Sequence, residues 1–315
     1  MILTVSLNPA VDRTAAVDSL TPGCVNRLKN VKDYPGGKGI NVTRALRLLG
    51  ADVIATGFTG GYTGEFIEKA VRDCGAECAF VKTASPVRTN LNVISADGSV
   101  TEILEPGPVI EADLIFKFQN GFDELLDRVN TVVFSGSLPE GVPADFYGRL
   151  IRMAKEKGVR TILDCSGEAL REGIKACPDL IKPNIKELSD LYCKNTDGRD
   201  IEDIVRLTEK IRDEGVGAVC VSMGEKGMLL VDETGGYFGE AIKLEPKNTV
   251  GCGDAAVASL AYSFDKGIPG EDALRSAIAV SAANTQEIES GKFCTQLVAE
   301  YLKLVKVNHT IHKEV

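Results

Sequence analysis

Short apolar runs alternate with segments of helical period over most of this chain, and no other feature limits the fold as much. Apolar runs at residues 2–7, 52–57, 131–135, 160–164, 180–182, 218–223 and 227–231 have the length of buried strands. Helical patterns fill 38–49, 64–74, 144–157, 186–193, 201–214, 254–264, 271–288 and 294–305. Strand and helix in repeated alternation predict an α/β protein whose mostly parallel sheet is covered on both faces. At 315 residues, the length suits about two domains of ordinary size or one large α/β domain with an insertion.

Two stretches break the rhythm. Residues 12–34 alternate apolar and polar positions around Thr21-Pro22-Gly23, and residues 88–104 do so around Asp97-Gly98. Each reads as an antiparallel hairpin with one exposed face. Together they predict a small β lid inserted into the α/β body; the competing reading is an antiparallel extension of the main sheet. The polar tail 308–315 reads as frayed, with His309 and His312 solvated.

Composition narrows the chemistry. Asp and Glu outnumber Lys and Arg by 45 to 36, a net charge of −9, and there is no Trp. That opposes a dedicated polyanion binder, so no nucleic-acid partner is expected, although a few placed cations can still hold one small phosphate. The two histidines lie at 309 and 312. Proton transfer in the body must therefore use Asp, Glu, Lys, Tyr or Cys, which excludes Ser-His-Asp and Cys-His machinery and His-rich metal sites. Nine cysteines without a CxxC pair read as reduced thiols of a cytoplasmic protein. The N-terminal segment lacks a basic region and is broken by Asn8-Pro9, so it reads as a first strand rather than a signal peptide. No apolar run approaches the roughly 18 residues of a membrane helix.

The most informative segment is Asn248-Thr249-Val250-Gly251-Cys252-Gly253-Asp254-Ala255-Ala256. Two glycines open a small-residue helix, where free N–H groups and the positive end of the dipole can meet a phosphate. Asp254, in the first turn, would repel a resting anion unless it takes a proton from the hydroxyl that attacks the phosphate. The bland reading is a helix start with an ordinary Asp. Gly251-x-Gly253-x-x-Ala256 also meets the weak dinucleotide fingerprint, but no strand with a closing acidic residue follows about 20 positions later. Pro35-Gly36-Gly37-Lys38-Gly39-Ile40-Asn41 is a second glycine turn opening a helix, and Lys38 and Asn41 can share a face. Ser135-Gly136-Ser137 follows a buried strand. Asn184 and Glu187 read either as a capping box or as an amide and a carboxylate near a metal-bound triphosphate. The segment from Ser222 to Gly227 reads as a plain hairpin turn or as a floor for a nucleotide.

Taken together and in this order, these segments resemble the PfkB-type carbohydrate kinases of the ribokinase superfamily. Thr4-Val5-Ser6-Leu7-Asn8-Pro9-Ala10-Val11-Asp12 resembles the opening of the phosphosugar branch. Gly36-Gly37-Lys38-Gly39-Ile40-Asn41-Val42 and Thr249-Val250-Gly251-Cys252-Gly253-Asp254 resemble the two family signatures. Cys252 and Ala255 depart from the family, which usually has Ala or Ser and then Ser at those positions. The resemblance implies a three-layer α/β/α body with a β lid, and ATP and Mg²⁺ as cofactors. It implies Asp254 as catalytic base and an anion hole at Gly251, Cys252 and Gly253. It implies nucleotide contacts from Lys182, Asn184, Glu187, Ser222, Met223, Gly224, Glu225, Lys226, Gly227 and Asn284, with Glu187 organising Mg²⁺ through water. Sugar contacts would come from Asp12, Gly37, Asn41 and Ser137. Arg27, Lys38, Arg88 and Asn90 would hold a phosphate already on the sugar. Within the family, the expectation is conversion of fructose 1-phosphate to fructose 1,6-bisphosphate, with tagatose 6-phosphate as the other substrate weighed. A non-catalytic sugar-phosphate sensor and a nicotinamide-dependent dehydrogenase are the readings from other classes. Val25, Leu28, Val93 and Ile103 are expected on exposed lid faces, where they would join two lids into a homodimer.

Overall fold

The computed structural model describes residues 1–192 and 200–312. The first half of the chain forms β1 (Ile2–Ser6), β2 (Ala10–Val17), β3 (Lys29–Gly36), α1 (Lys38–Leu48), β4 (Val53–Gly60), α2 (Gly61–Asp73), β5 (Glu77–Thr83), β6 (Arg88–Ser95), β7 (Val100–Ile103), α3 (Ala112–Leu126), β8 (Thr131–Ser135) and α4 (Phe146–Glu156). The second half forms β9 (Arg160–Asp164), α5 (Gly167–Ile174), β10 (Leu180–Ile181), α6 (Ile185–Tyr192), α7 (Ile201–Asp213), β11 (Ala218–Ser222), β12 (Met228–Val231), β13 (Gly235–Gly239), α8 (Cys252–Lys266), α9 (Gly270–Asn284), α10 (Thr295–Tyr301) and β14 (Val307–His312).

Ten strands make one sheet in the order β14-β13-β12-β11-β10-β9-β8-β1-β4-β5. From β11 to β5 every pairing is parallel; β12, β13 and β14 add an antiparallel edge. Alternate side chains of the strands feed two cores. Ile2 packs with Ile40, Leu46, Leu260 and Ile278, whereas Leu3 and Val5 pack on the other face with Phe118, Phe134 and Phe146. Helix α8 has every residue from Asp254 to Ala261 buried. Its run of Ala and Ser favours helix and lets α1 and α9 approach closely, so this helix can be enclosed without large side chains.

The other four strands form a separate sheet in the order β3-β2-β6-β7. Both expected hairpins are present, and β2 joins them by pairing in parallel with β6, Asp12 opposite Asn90. The small sheet is therefore not an extension of the large one. Val93 is corrected: it is 1% exposed, on the inner face, whereas Val25 is 85% exposed. The expected fraying is corrected for the tail up to residue 312, while residues 313–315 and the side chain of His312 fall outside the described residues and His309 is exposed as expected. Residues 307–312 pair with β13, the His309 ring packs edge-on against Tyr237 at 5.0 Å, and its Nε2 lies 3.4 Å from Glu271. Of the expected helix 186–193, Cys193 falls outside the described residues. No described helix is long and apolar enough to cross a membrane.

Candidate active site

The carboxyl ends of β1, β8, β9, β10 and β11 open at one edge of the large sheet, the usual ligand edge of such folds. Helices α1 and α8 begin there. Gly251 caps α8 in the left-handed region (φ 82°), with no side-chain cap. A Cβ on it would fall 2.7 Å from the Ser290 Cβ, so only glycine fits both the conformation and the space. The first-turn amides of α8 have no partner within the helix, and Lys182 Nζ stands 3.4 Å from where a Gly253 Cβ would be. Gly37 caps α1 (φ 86°) in the same uncapped manner. Asn41, one turn into α1, donates from Nδ2 to Asp254 Oδ2 at 2.8 Å, across 213 residues of sequence.

Asp254 is 6% exposed. Burial, and then the charge of Asp164, push its pKa up to about 7; Lys38, the Asn41 hydrogen bond and Lys182 pull the other way. Asp164, at the end of β9, went unnamed among the expected site residues. It is 1% exposed, and Lys38 Nζ and Lys182 Nζ both lie 3.4 Å from its Oδ1. Burial alone would raise its pKa, but the Lys182 and Lys38 ammoniums outweigh burial and hold it below the usual carboxylate range. Lys38 is held above the usual lysine range, chiefly by Asp164 and further by Asp254 and Glu187. A buried carboxyl poised near neutrality beside free helix amides can accept a proton while those amides face developing negative charge.

A cavity of about 310 Å³ adjoins the start of α8, lined by Ser222, Gly224, Leu244, Cys252, Gly253 and Ile278 among others. Glu225 and Gly227 also reach it. Met223 turns into the core, Lys182 is occupied with Asp164, and Asn284 is fully buried. Asn284 does not face the cavity: it donates to the Val250 carbonyl (3.3 Å) and accepts from the Gly291 N–H (3.0 Å), bracing the loop before Gly251. Both readings of Asn184 and Glu187 survive. They form a reciprocal capping box at 2.9 Å in each direction, while Glu187 stays near enough to act on Lys38. Among the described residues no cluster of three or more His, Cys, Asp or Glu forms a metal cage. Single carboxylates such as Glu187 fit a Mg²⁺ that keeps its waters and rides on substrate phosphates.

A second cleft, of about 560 Å³, separates the small sheet from residues 246–250 and 288–290 and includes Asp12, Thr14, Asn92 and Glu102. Asp12, its pKa raised by burial, accepts from Asn90 Nδ2 at 2.9 Å and from the Gly37 N–H. Arg88 donates to the carbonyls of Asn8 (3.2 Å) and Glu105 (3.0 Å). Asn8 Nδ2 in turn donates to Ser137 Oγ at 3.2 Å. Arg88 Nε, Asn90 Oδ1, Asn41 Oδ1 and Asp164 Oδ2 are all buried without a protein partner. Buried polar atoms ordinarily find partners, so four in one region fit a polar ligand. Arg27 is not brought to this group. It is exposed in the connection between β2 and β3, beyond the Ala16–Lys29 end of their pairing, whereas Arg88, Asn90 and Asp12 lie toward the Ala10–Gly36 end.

The profile of the pfkB family carbohydrate kinases matches residues 3–296. The chain belongs to that family. It is 36% identical over 309 residues to the tagatose-6-phosphate kinase of Staphylococcus epidermidis, covering 98% of this chain and 99% of that one. Its fold is similar to phosphofructokinase-2 of Escherichia coli, solved with potassium, at a TM-score of 0.89 and 28% identity over 96% of this chain and 98% of the other. A possible 1-phosphofructokinase of Thermotoga maritima gives 0.85 and 27% over 98% and 99%. The family and the named relatives are kinases, which speaks against the sensor. The dehydrogenase reading also fails locally, because no strand enters Gly251: residues 240–250 form none.

Proposed function

We propose that the protein transfers the γ-phosphoryl group of ATP to a primary hydroxyl of a ketohexose phosphate. The observation that carries this is Asp254, a buried carboxyl poised near pH 7 in the first turn of a helix whose amides are free. Asp254 takes the hydroxyl proton. The amides of Gly251, Cys252 and Gly253, with Lys182 above them, face the charge of the transferring group. Lys38 belongs with that group too: its neighbours are Asp164, Asp254 and Glu187, not Arg88. Arg88, Asn90 and Asp12 then hold the sugar and its phosphate, and the small sheet acts as a lid that excludes water. The cavity bordered by Ser222, Gly224 and Gly227 takes the nucleotide. Glu187 would hold Mg²⁺ through water, and the bound ion would neutralise phosphate charge.

Fructose 1-phosphate and tagatose 6-phosphate pose the same geometric problem. Each carries its phosphate at one end of the sugar and a free primary hydroxyl at the other. Residues 34–41 and 166–170 resemble 1-phosphofructokinases and favour the first; residues 101–105, which resemble tagatose-6-phosphate kinases, and the tagatose-6-phosphate kinase relative support the second. A coupled assay of ADP release with fructose 1-phosphate, tagatose 6-phosphate, fructose 6-phosphate and free fructose tests the reading. Turnover with a phosphosugar far above that with fructose is expected; equal rates, or none, would overturn it.

A further inference from the structure

We propose that Asp164 is a positioning residue of the transfer step: its buried carboxylate converges Lys38 and Lys182 on the start of α8 and keeps both ammoniums beside Asp254. The inference rests on the phosphoryl-transfer reading and assigns Asp164 a role exerted through its two lysines.

Three observations lead there. The first is geometric. One oxygen, Asp164 Oδ1, lies 3.4 Å from the ammoniums of Lys38 and Lys182, which come from the start of α1 and the end of β10. Two ammoniums so close together repel unless a carboxylate stands between them. Lys38 has its side chain 38% exposed and could otherwise turn to solvent, whereas Lys182, at 4%, could not. The second is placement. Lys182 stands over Gly253 and Lys38 acts on Asp254, so the pair brackets the anion hole and the base together. The third is support. Asp164 ends a strand paired on both sides, to β8 and β10, so the carboxylate sits on rigid backbone. A charge that is costly to bury alone is here matched by two partners that the site itself uses.

The electrostatics agree. The groups that face Asp254 are Asp164 from β9, Lys38 and Asn41 from α1, and Lys182 from the end of β10; Cys252 shares its own helix turn. Asp164 is the one charge among them that raises the proton affinity of Asp254. Neutralising it leaves two ammoniums unopposed and makes Asp254 a weaker base.

The test is Asp164→Asn, which keeps shape and removes charge, with kcat measured from pH 5 to 9 at saturating ATP and phosphosugar. Thermal unfolding confirms the fold. We expect kcat to fall about ten- to a hundredfold, the usual effect of a small misplacement. We also expect the acid limb of the kcat profile, near pH 7 in the wild type, to move down by about one unit. Asp164→Glu keeps the charge but displaces it; its kcat should fall while its acid limb stays near the wild-type position. It also keeps the test open if Asp164→Asn does not fold. An unchanged kcat in folded Asp164→Asn, or an acid limb in Asp164→Glu that moves as far as in Asp164→Asn, would overturn the proposal. So would a lower kcat in Asp164→Asn with an unmoved limb. A wild-type protein without phosphosugar-dependent turnover would instead overturn the function on which the proposal rests.

Discussion

Replacing Asp254 by Asn should make the protein less active and more stable at once. The side chain is 6% exposed, and its pKa stands at about 7 against an ordinary 3.8. Burial disfavours the charged form, so the native state holds a proton that the unfolded chain has released at any pH between those values. Stability therefore falls as pH rises through this window and levels off above about 7. At 1.36 kcal/mol per pKa unit, the penalty reaches about 4 kcal/mol above neutrality and stands at less than half of that, roughly 1.5 kcal/mol, at pH 5. Asn carries no charge in either state and can still accept from Asn41 Nδ2. Its stability gain over the wild type should therefore grow by about 3 kcal/mol between pH 5 and pH 8. Urea unfolding of both proteins at the two pH values measures this directly, and other titrating groups cancel in the comparison. A gain that is equal at both pH values, or shrinks as pH rises, would show that Asp254 is ionised throughout and would refute the buried-base argument.

Other consequences can be checked separately. Arg88→Ala should cost about 2–4 kcal/mol in kcat/KM for the phosphosugar and much less for free fructose, as loss of a desolvated charged contact does. Lys38→Ala, placed with the transferring group, should lower both rates by a similar factor; steady-state kinetics on the two sugars separates the roles. Gly251→Ala needs a left-handed alanine and presses on Ser290, so it should destabilise by about 2–4 kcal/mol by chemical unfolding; a change under about 0.5 kcal/mol would contradict the crowding. Val25 and Leu28, exposed in the connection between β2 and β3, and Ile103, exposed on β7, should join two copies into a homodimer, which light scattering at micromolar concentration checks; a monomer would contradict it.

The parts legible in the sequence are those with a local signature. Most of the parallel strands are short, predominantly apolar runs, and the two hairpins carry their own turns. The glycine starts of α1 and α8 announce themselves because few other sequences permit bare helix amides. What escaped lacks such a signal. Strand β5 is a half-exposed edge, Glu77–Thr83, without clean alternation. Gly121 interrupts the period of α3. Strand β14 is polar because one edge of the sheet is all it covers. The parallel β2–β6 pairing joins segments far apart in sequence, so neither hairpin alone reveals it. Asp164 is the clearest case. It opens residues 164–170, a run that resembles the family, yet nothing local gives its carboxylate a role; that comes from Lys38, 126 residues away, and from Lys182. Arg27 and Asn284 show the converse: a motif can name a residue without saying where its side chain points.

The central claim is that Asp254 is the base for phosphoryl transfer, and the most direct measurement is the rate of that transfer in Asp254→Asn with both substrates saturating. The account predicts ATP and phosphosugar affinities within a few-fold of the wild type by calorimetry. It predicts a transfer rate lower by about two to four orders of magnitude, the usual contribution of a general base. A folded Asp254→Asn protein that turns over at a near-normal rate would contradict it.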